Sequence, residues 1–250
     1  MSERFLDWDG CVNVRELGGL PTEDGGVTRT GAVVRSDNPH HLSDAGWQAL
    51  AAHGVRRVLD LRWDEERERD PPRELDVEVV HVSLFGRVDP EYGAADDAAW
   101  EAAPDLTSGF AERYLAYLED YRPRFGEALA AVDSAPEGAV LVHCWGGKDR
   151  TGLVCALLLR LAGVDADTVA ADYALSGPRM AAALERRWPL DPDADEMERR
   201  SRERALHAPH DAMLRVLDGL EARYGSVEGY LRAAGLDDER LARLRERLRG

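Results

Sequence analysis

Cysteine is scarce in this chain of 250 residues: Cys11, Cys144 and Cys155 are all there is. An odd count without a CxxC pair excludes a disulfide scaffold and a zinc knuckle, and points to a reduced, cytoplasmic setting. Long apolar runs are missing too. The longest, Leu153 to Leu159, stops at Arg160, well short of the roughly 20 residues that span a bilayer. The first ten residues carry acidic side chains where a secretory leader needs an apolar stretch. Positive charge is outweighed, since 32 Lys and Arg against 48 Asp and Glu leave −16 with His neutral. That balance argues against a nucleic-acid partner and against docking on an anionic membrane. An anionic substrate must be captured by a local positive site.

What is present suits one folded domain over 1–250. The 44% hydrophobic fraction is enough for a core. No repeat of solenoid period and no low-complexity tract appears. Strands are expected at Ala32–Arg35, Val55–Leu61, Val77–Leu84 and Ala139–Val142. Ser43 reads as the cap of a helix that Gly54 stops. The stretch 86–104 reads as a long surface loop or weak helix, and the charged run 64–70 as a solvated face or loop. Phe110, Tyr114, Tyr117, Leu118 and Tyr121 follow helical spacing, and a further helix follows Pro123. The segment after Arg150 is apolar all round, a buried central helix. Beyond Gly163 the chain is helical, with a break at Pro189–Asp195. The expected class is α/β, a mainly parallel central sheet flanked by helices with a helical C-terminal portion.

The informative segment runs His143-Cys144-Trp145-Gly146-Gly147-Lys148-Asp149-Arg150-Thr151-Gly152. It joins the most buried strand to the most buried helix, where α/β sheets place ligand sites. Five residues separate Cys144 from Arg150, enough for successive backbone N–H groups to converge. Gly146 and Gly147 permit close backbone approach. The helix N-terminus adds partial positive charge, and Arg150 adds a planar fork matched to phosphate oxygens. The cradle binds a dianion and favours the thiolate of Cys144. A thiolate beneath a phosphate attacks phosphorus, giving a cysteinyl-phosphate that water then cleaves. Thr151 is placed to hydrogen-bond the sulfur, His143 to orient the loop from behind, and Trp145 to pack the loop or wall the pocket.

A magnesium-binding phosphate loop would need Ser or Thr after Gly147-Lys148, where Asp149 stands. HExxH, GxGxxG and paired-cysteine metal spacings are missing, so no metal and no cofactor are expected. Cys155, in an apolar run, and Cys11 read as core residues.

The segment His-Cys-x-x-Gly-Lys-Asp-Arg-Thr-Gly resembles the signature of the cysteine-dependent protein tyrosine phosphatase superfamily. Its ending resembles the atypical bacterial branch that includes mycobacterial tyrosine phosphatase B and related lipid-phosphate phosphatases. Asn13-Val14-Arg15-Glu16-Leu17-Gly18-Gly19 is similar to that family's N-terminal motif. Arg35-Ser36, Val58 to Arg62, Tyr224-Gly225-Ser226 and Tyr230-Leu231 fall in matching order.

The resemblance implies Cys144 as nucleophile and Arg150 as phosphate clamp, with Trp145, Gly146, Gly147, Lys148 and Thr151 around the phosphate. Lys148 would add the charge that in the family broadens use toward phosphoinositides. For the general acid it points first to Asp149 and second to Asp60, with Asp89, Asp96, Asp97 and Asp105 upstream. It also implies a helical lid over 176–208, for which an ordinary helical buttress is the alternative. The expected substrate is a phosphotyrosine protein, with a phosphoinositide or small phosphate ester as rivals. A catalytically silent phosphate-binding module and a rhodanese-type sulfurtransferase are the competing classes. An arsenate reductase would want a second cysteine nearer than Cys155.

Overall fold

Side chains leave a strand alternately to its two faces, and that alternation divides the apolar strands of this chain between two cores. The computed structural model describes residues 4–70, 77–86, 90–187 and 189–249. Its sheet comprises β1 (Arg15–Glu16), β2 (Val33–Ser36), β3 (Val55–Asp60), β4 (Glu78–His81) and β5 (Ala139–His143). The order is β1-β2-β5-β3-β4, with β1 antiparallel to β2 and the other pairings parallel. Val34, Val58 and Leu141 pack with Trp8, Leu42 and Leu50 on the face covered by α1 (Asp44–Ala52). Val33, Leu59, Val140 and Val142 enter the larger core on the other face.

That larger core is filled by α4 (Leu106–Asp120), α5 (Arg122–Asp133), α6 (Asp149–Leu161) and α7 (Ala166–Ala174). The C-terminal helices α10 (His210–Tyr224), α11 (Val227–Ala233) and α12 (Asp238–Arg249) close it. The chain is a single α/β domain with β5 at the centre of the sheet, flanked by β2 and β3. The connection β2–α1–β3 passes over the place that β5 fills. The carboxyl end of β5 therefore opens at the point where the strand order switches, the usual ligand position of such sheets.

The local signals hold. The Ser43 side chain caps α1 by accepting from the Gly46 N–H at 3.2 Å, and Gly54, just past the helix end, is in the left-handed region at φ 85°. At one stretch the structure decides between two expected alternatives, and at another it differs from expectation. Residues 90–102 form a true helix, α3 (Pro90–Ala102), anchored where Trp100 meets Phe110 edge-on at 4.9 Å between ring centres. The run 64–70 holds a short helix, α2 (Asp64–Arg67), and two of its acids, Glu66 and Asp70, are tied to buried arginines rather than to solvent. In the C-terminal half, α8 (Ser176–Arg187) and α9 (Glu196–Leu206) flank the expected break. Asp89 and Trp188 lie outside the described residues. None of the described helices is long and apolar enough to cross a membrane.

Candidate active site

Strand alternation sets the two sides of the site. His143, the last residue of β5, falls on the α1 face, and Cys144 turns into the larger core, 2% exposed. The loop then rises to α6, whose first residues are Asp149 and Arg150. Gly147 is in the left-handed region at φ 64°, and a Cβ there would lie 2.3 Å from the Ser36 carbonyl oxygen. Only glycine fits.

Outside donors grip the loop carbonyls. Asn38 N–H donates to the Trp145 oxygen at 3.0 Å, and Asn13 Nδ2 donates to Gly146 and Gly147 at 3.0 and 3.1 Å. Arg35 Nη2 also donates to the Gly147 oxygen, at 2.9 Å. In a trans peptide the C=O and N–H point in opposite directions. Carbonyls pulled outward at 145, 146 and 147 therefore turn the N–H groups of Gly146, Gly147 and Lys148 inward. Together with the start of α6 they form a nest for an anion.

Arg150 borders this nest. Both its terminal nitrogens donate to the two carboxylate oxygens of Glu66, one of them at 2.8 Å, and the Trp63 ring lies 5.1 Å from its Cζ. Burial alone would pull the guanidinium down; its bonds to Glu66 and the charge on Cys144 outweigh that and keep it protonated. Thr151, fully buried, has no partner for its hydroxyl among the described residues.

Lys148 departs from its expected place. Its amine does not face the nest but donates to the carbonyls of Arg204 at 2.7 Å and His207 at 2.8 Å, at the end of α9. Burial lowers its pKa. Asp149 sits at the rim with its side chain 45% exposed, 3.4 Å from that amine. It accepts from the Tyr114 hydroxyl, which also shares a hydrogen bond of 2.8 Å with the Tyr173 hydroxyl. Burial, then the Asp149 charge, raises the Tyr114 pKa and holds the phenol as a donor.

Asp60 lies behind the loop. It accepts from Arg62 Nη2 at 2.8 Å and from the Arg62 backbone N–H at 3.0 Å, and stands 3.7 Å from His143 Nε2. Burial pushes its carboxyl up, but His143 and Arg62 outweigh that and leave it below the usual carboxylate range. An acid held ionised has no proton to give, so these surroundings argue against Asp60 as the proton donor. Three of the upstream acids are engaged in contacts of their own. Asp105 caps α4 by accepting from Ser108 N–H at 2.8 Å, Asp96 pairs with Arg113 and Tyr117, and Asp97 is 3.8 Å from Arg204. Cys155 is core, its thiol pushed up to about 11 by burial. Cys11 is only partly buried, its sulfur 3.4 Å from the Asn38 carbonyl. Among the described residues no cluster of His, Cys, Asp or Glu could hold a metal.

Four site residues escape a reading of the sequence: Glu66, Tyr114, Tyr173 and Asp172. The one available signal was the density of acids in 64–70, which are excessive for a loop beside a strand end.

A model of a tyrosine phosphatase family matches residues 6–250. The chain is 32% identical over 232 positions to a tyrosine-protein phosphatase of Nostoc commune, covering 87% of this chain and 74% of that protein. It is 30% identical over 281 aligned positions to the triple specificity protein phosphatase PtpB of Mycobacterium tuberculosis, covering 96% and 98%. A putative tyrosine-protein phosphatase of Cupriavidus necator is 32% identical over 252 positions, covering 92% and 83%.

Proposed function

This chain belongs to the tyrosine phosphatase family and is a phosphatase; on that premise we propose that Cys144 is its nucleophile and Arg150 its phosphate clamp. The observation that carries the assignment is the set of outward-held carbonyls at 145–147, which leaves the N–H groups of Gly146, Gly147 and Lys148 on the inner side of the loop that starts at Cys144. A phosphate there meets donors in place and a thiolate in line with phosphorus. The sulfur attacks phosphorus, and the bond to the leaving oxygen breaks. Asp149, at the rim, gives that oxygen its proton. The Asp149 carboxylate then takes a proton from water, which attacks phosphorus, breaks the S–P bond and releases orthophosphate. Thr151 donates to the departing sulfur. Asp60 acts through His143, whose Nδ1 meets the Cys144 carbonyl at 3.1 Å.

We assign a phosphotyrosine protein as the substrate. Trp63, Phe85 and Tyr117 form an aromatic row beside Arg150, with ring centres 6.4 and 4.5 Å apart, suited to a phenyl ring entering edge-on. The described residues of 176–208 form a lid. The Met180 methyl sits 3.0 Å from where a Cβ on Gly146 would be, and Lys148 ties the end of α9 to the loop.

The test is hydrolysis of p-nitrophenyl phosphate in excess EDTA, followed by phosphotyrosine peptide, phosphatidylinositol phosphate and a sugar phosphate. Turnover lost in Cys144→Ser and fastest on the peptide supports the reading. A lipid or sugar preference moves the substrate class. Phosphate binding without turnover marks a silent module, and turnover surviving Cys144→Ser overturns the mechanism.

A further inference from the structure

Arg15 and Arg35 face each other directly across β1 and β2. Like charges so placed destabilise a sheet, and burying them adds a desolvation penalty. Both are buried to 1% exposure or less. With Arg4 they share one carboxylate, that of Asp172 on α7, at 2.8 Å from Arg4, 3.1 Å from Arg15 and 2.8 Å from Arg35. The adjacent Glu16 is engaged elsewhere, by His53 at 2.6 Å and the Gly31 N–H at 2.9 Å. Three cations on one anion leave positive charge in excess, and burial together with Arg35 pulls Arg15 down to about 10. Apolar side chains of similar volume would serve stability as well or better.

Both guanidiniums lead to the phosphate loop. Arg35 Nη2 holds the Gly147 carbonyl and lies 3.6 Å from where a Cβ on Gly152 would be, inside the first turn of α6. Arg15 Nη1 donates at 2.6 Å to Asn13 Oδ1, and the amide of the same side chain holds Gly146 and Gly147. Ser176, where α8 begins, accepts from both arginines at 3.0 and 3.3 Å. The Nε of Arg35 is buried with no partner among the described residues. Strand alternation puts Arg35 on the face that Cys144 enters.

We infer that Arg35, braced by Asp172 and Arg15, is a positioning residue for the Cys144 reaction. It turns the Gly147–Lys148 peptide so that its N–H meets the phosphate, and it sets a buried positive charge beneath the thiolate. Charge acts strongly across a poorly screened interior. The inference rests on Cys144 being the nucleophile.

The experiment is alkylation of Cys144 by iodoacetamide against pH, resolved by peptide mass spectrometry, in wild type, Arg35→Met and Arg35→Lys. Melting temperature and steady-state kinetics are measured on the same samples. Arg35→Met leaves Asp172 two arginine partners. In Arg35→Met the alkylation midpoint should rise by about one pH unit or more, and kcat should fall about tenfold. Arg35→Lys should bring the midpoint back, because the charge is restored. Its kcat should stay low, since one ammonium cannot bridge Asp172 and Gly147 as the fork does. A midpoint unmoved in Arg35→Met overturns the inference. So does an equal rise in both variants, which would be loosening of the fold alone. Should Arg35→Met not fold, Arg35→Lys decides: low kcat with a wild-type midpoint supports, a raised midpoint overturns. A wild-type Cys144 that alkylates like a free thiol would remove the nucleophile assignment and this inference with it.

Discussion

Glu66 and Arg150 meet fork to fork, each carboxylate oxygen accepting from one terminal guanidinium nitrogen. Two of the five guanidinium donors are so occupied, and the pair fixes the plane of the fork and leaves its Nε edge for the phosphate of the proposed reaction. Glu66→Gln keeps the shape but offers one acceptor in place of two. It should lower kcat/KM for p-nitrophenyl phosphate about tenfold, mostly through KM. Unchanged steady-state kinetics would leave the positioning of Arg150 to Trp63 alone.

A proton donor matters in proportion to how poor the leaving group is. Asp149→Asn should therefore cut kcat on phenyl phosphate by about 10²-fold or more, with a much smaller loss on p-nitrophenyl phosphate. Tyr114→Phe should give a weaker form of the same pattern, because Tyr114 only holds the Asp149 carboxylate in place. A loss of equal size on every leaving group would remove Asp149 from this role. Asp60→Asn should act on stability first, since it strips the buried Arg62 of one of its two carboxylate partners and leaves it Asp70 alone.

Lys148 is the chain's one lysine. Its three ammonium hydrogens suit separate carbonyls around α9 in a way that a flat guanidinium does not. Lys148→Met should release the end of that helix. Protease cleavage within 189–195 should become several-fold faster, as expected for a locally destabilised segment. Equal cleavage rates in variant and wild type would show that the covering helices are held by other contacts.

Burial pushes His143 down to about 4 from an ordinary 6.5, against the pull of Asp60. Between those values the unfolded chain binds a proton that the folded chain refuses, so stability falls as pH drops. The full contribution is present above pH 6.5 and is lost on the way down to about 4. The slope from this residue is a little over ~1 kcal/mol per pH unit. Urea midpoints at pH 7, 6 and 5 should decline more steeply in wild type than in His143→Asn. Parallel declines would assign the acid sensitivity to other groups.

The phosphate loop was legible because its parts are neighbours in sequence: a buried strand, two glycines, an arginine and a buried helix within 139–161. Local capping likewise marked Ser43 and Gly54. What surrounds the loop was not legible, because it arrives from far away. Asp172 looks like any acid on a helix until three arginines are seen to converge on it. Glu66 and Asp70 sat in a run whose charge suggested solvent, and only the fold brings buried arginines to them. The stretch 86–104 has a weak helical pattern of its own, and the Trp100 contact with Phe110 decides for the helix. Lys148 was read by its place in the motif, but its amine answers to α9, 56 residues later.

The braces of the loop straddle it in the order of synthesis. When Cys144 is joined to the growing chain, Asn13, Arg15 and Arg35 have already been made, while Asp172 and Ser176 are still to come. Without Asp172 the two facing arginines repel each other and β1 has little reason to settle on β2. The nascent chain thus carries Cys144 before the contacts that brace its loop. The loop therefore receives its full set of braces only when α7, which carries Asp172, docks on the sheet.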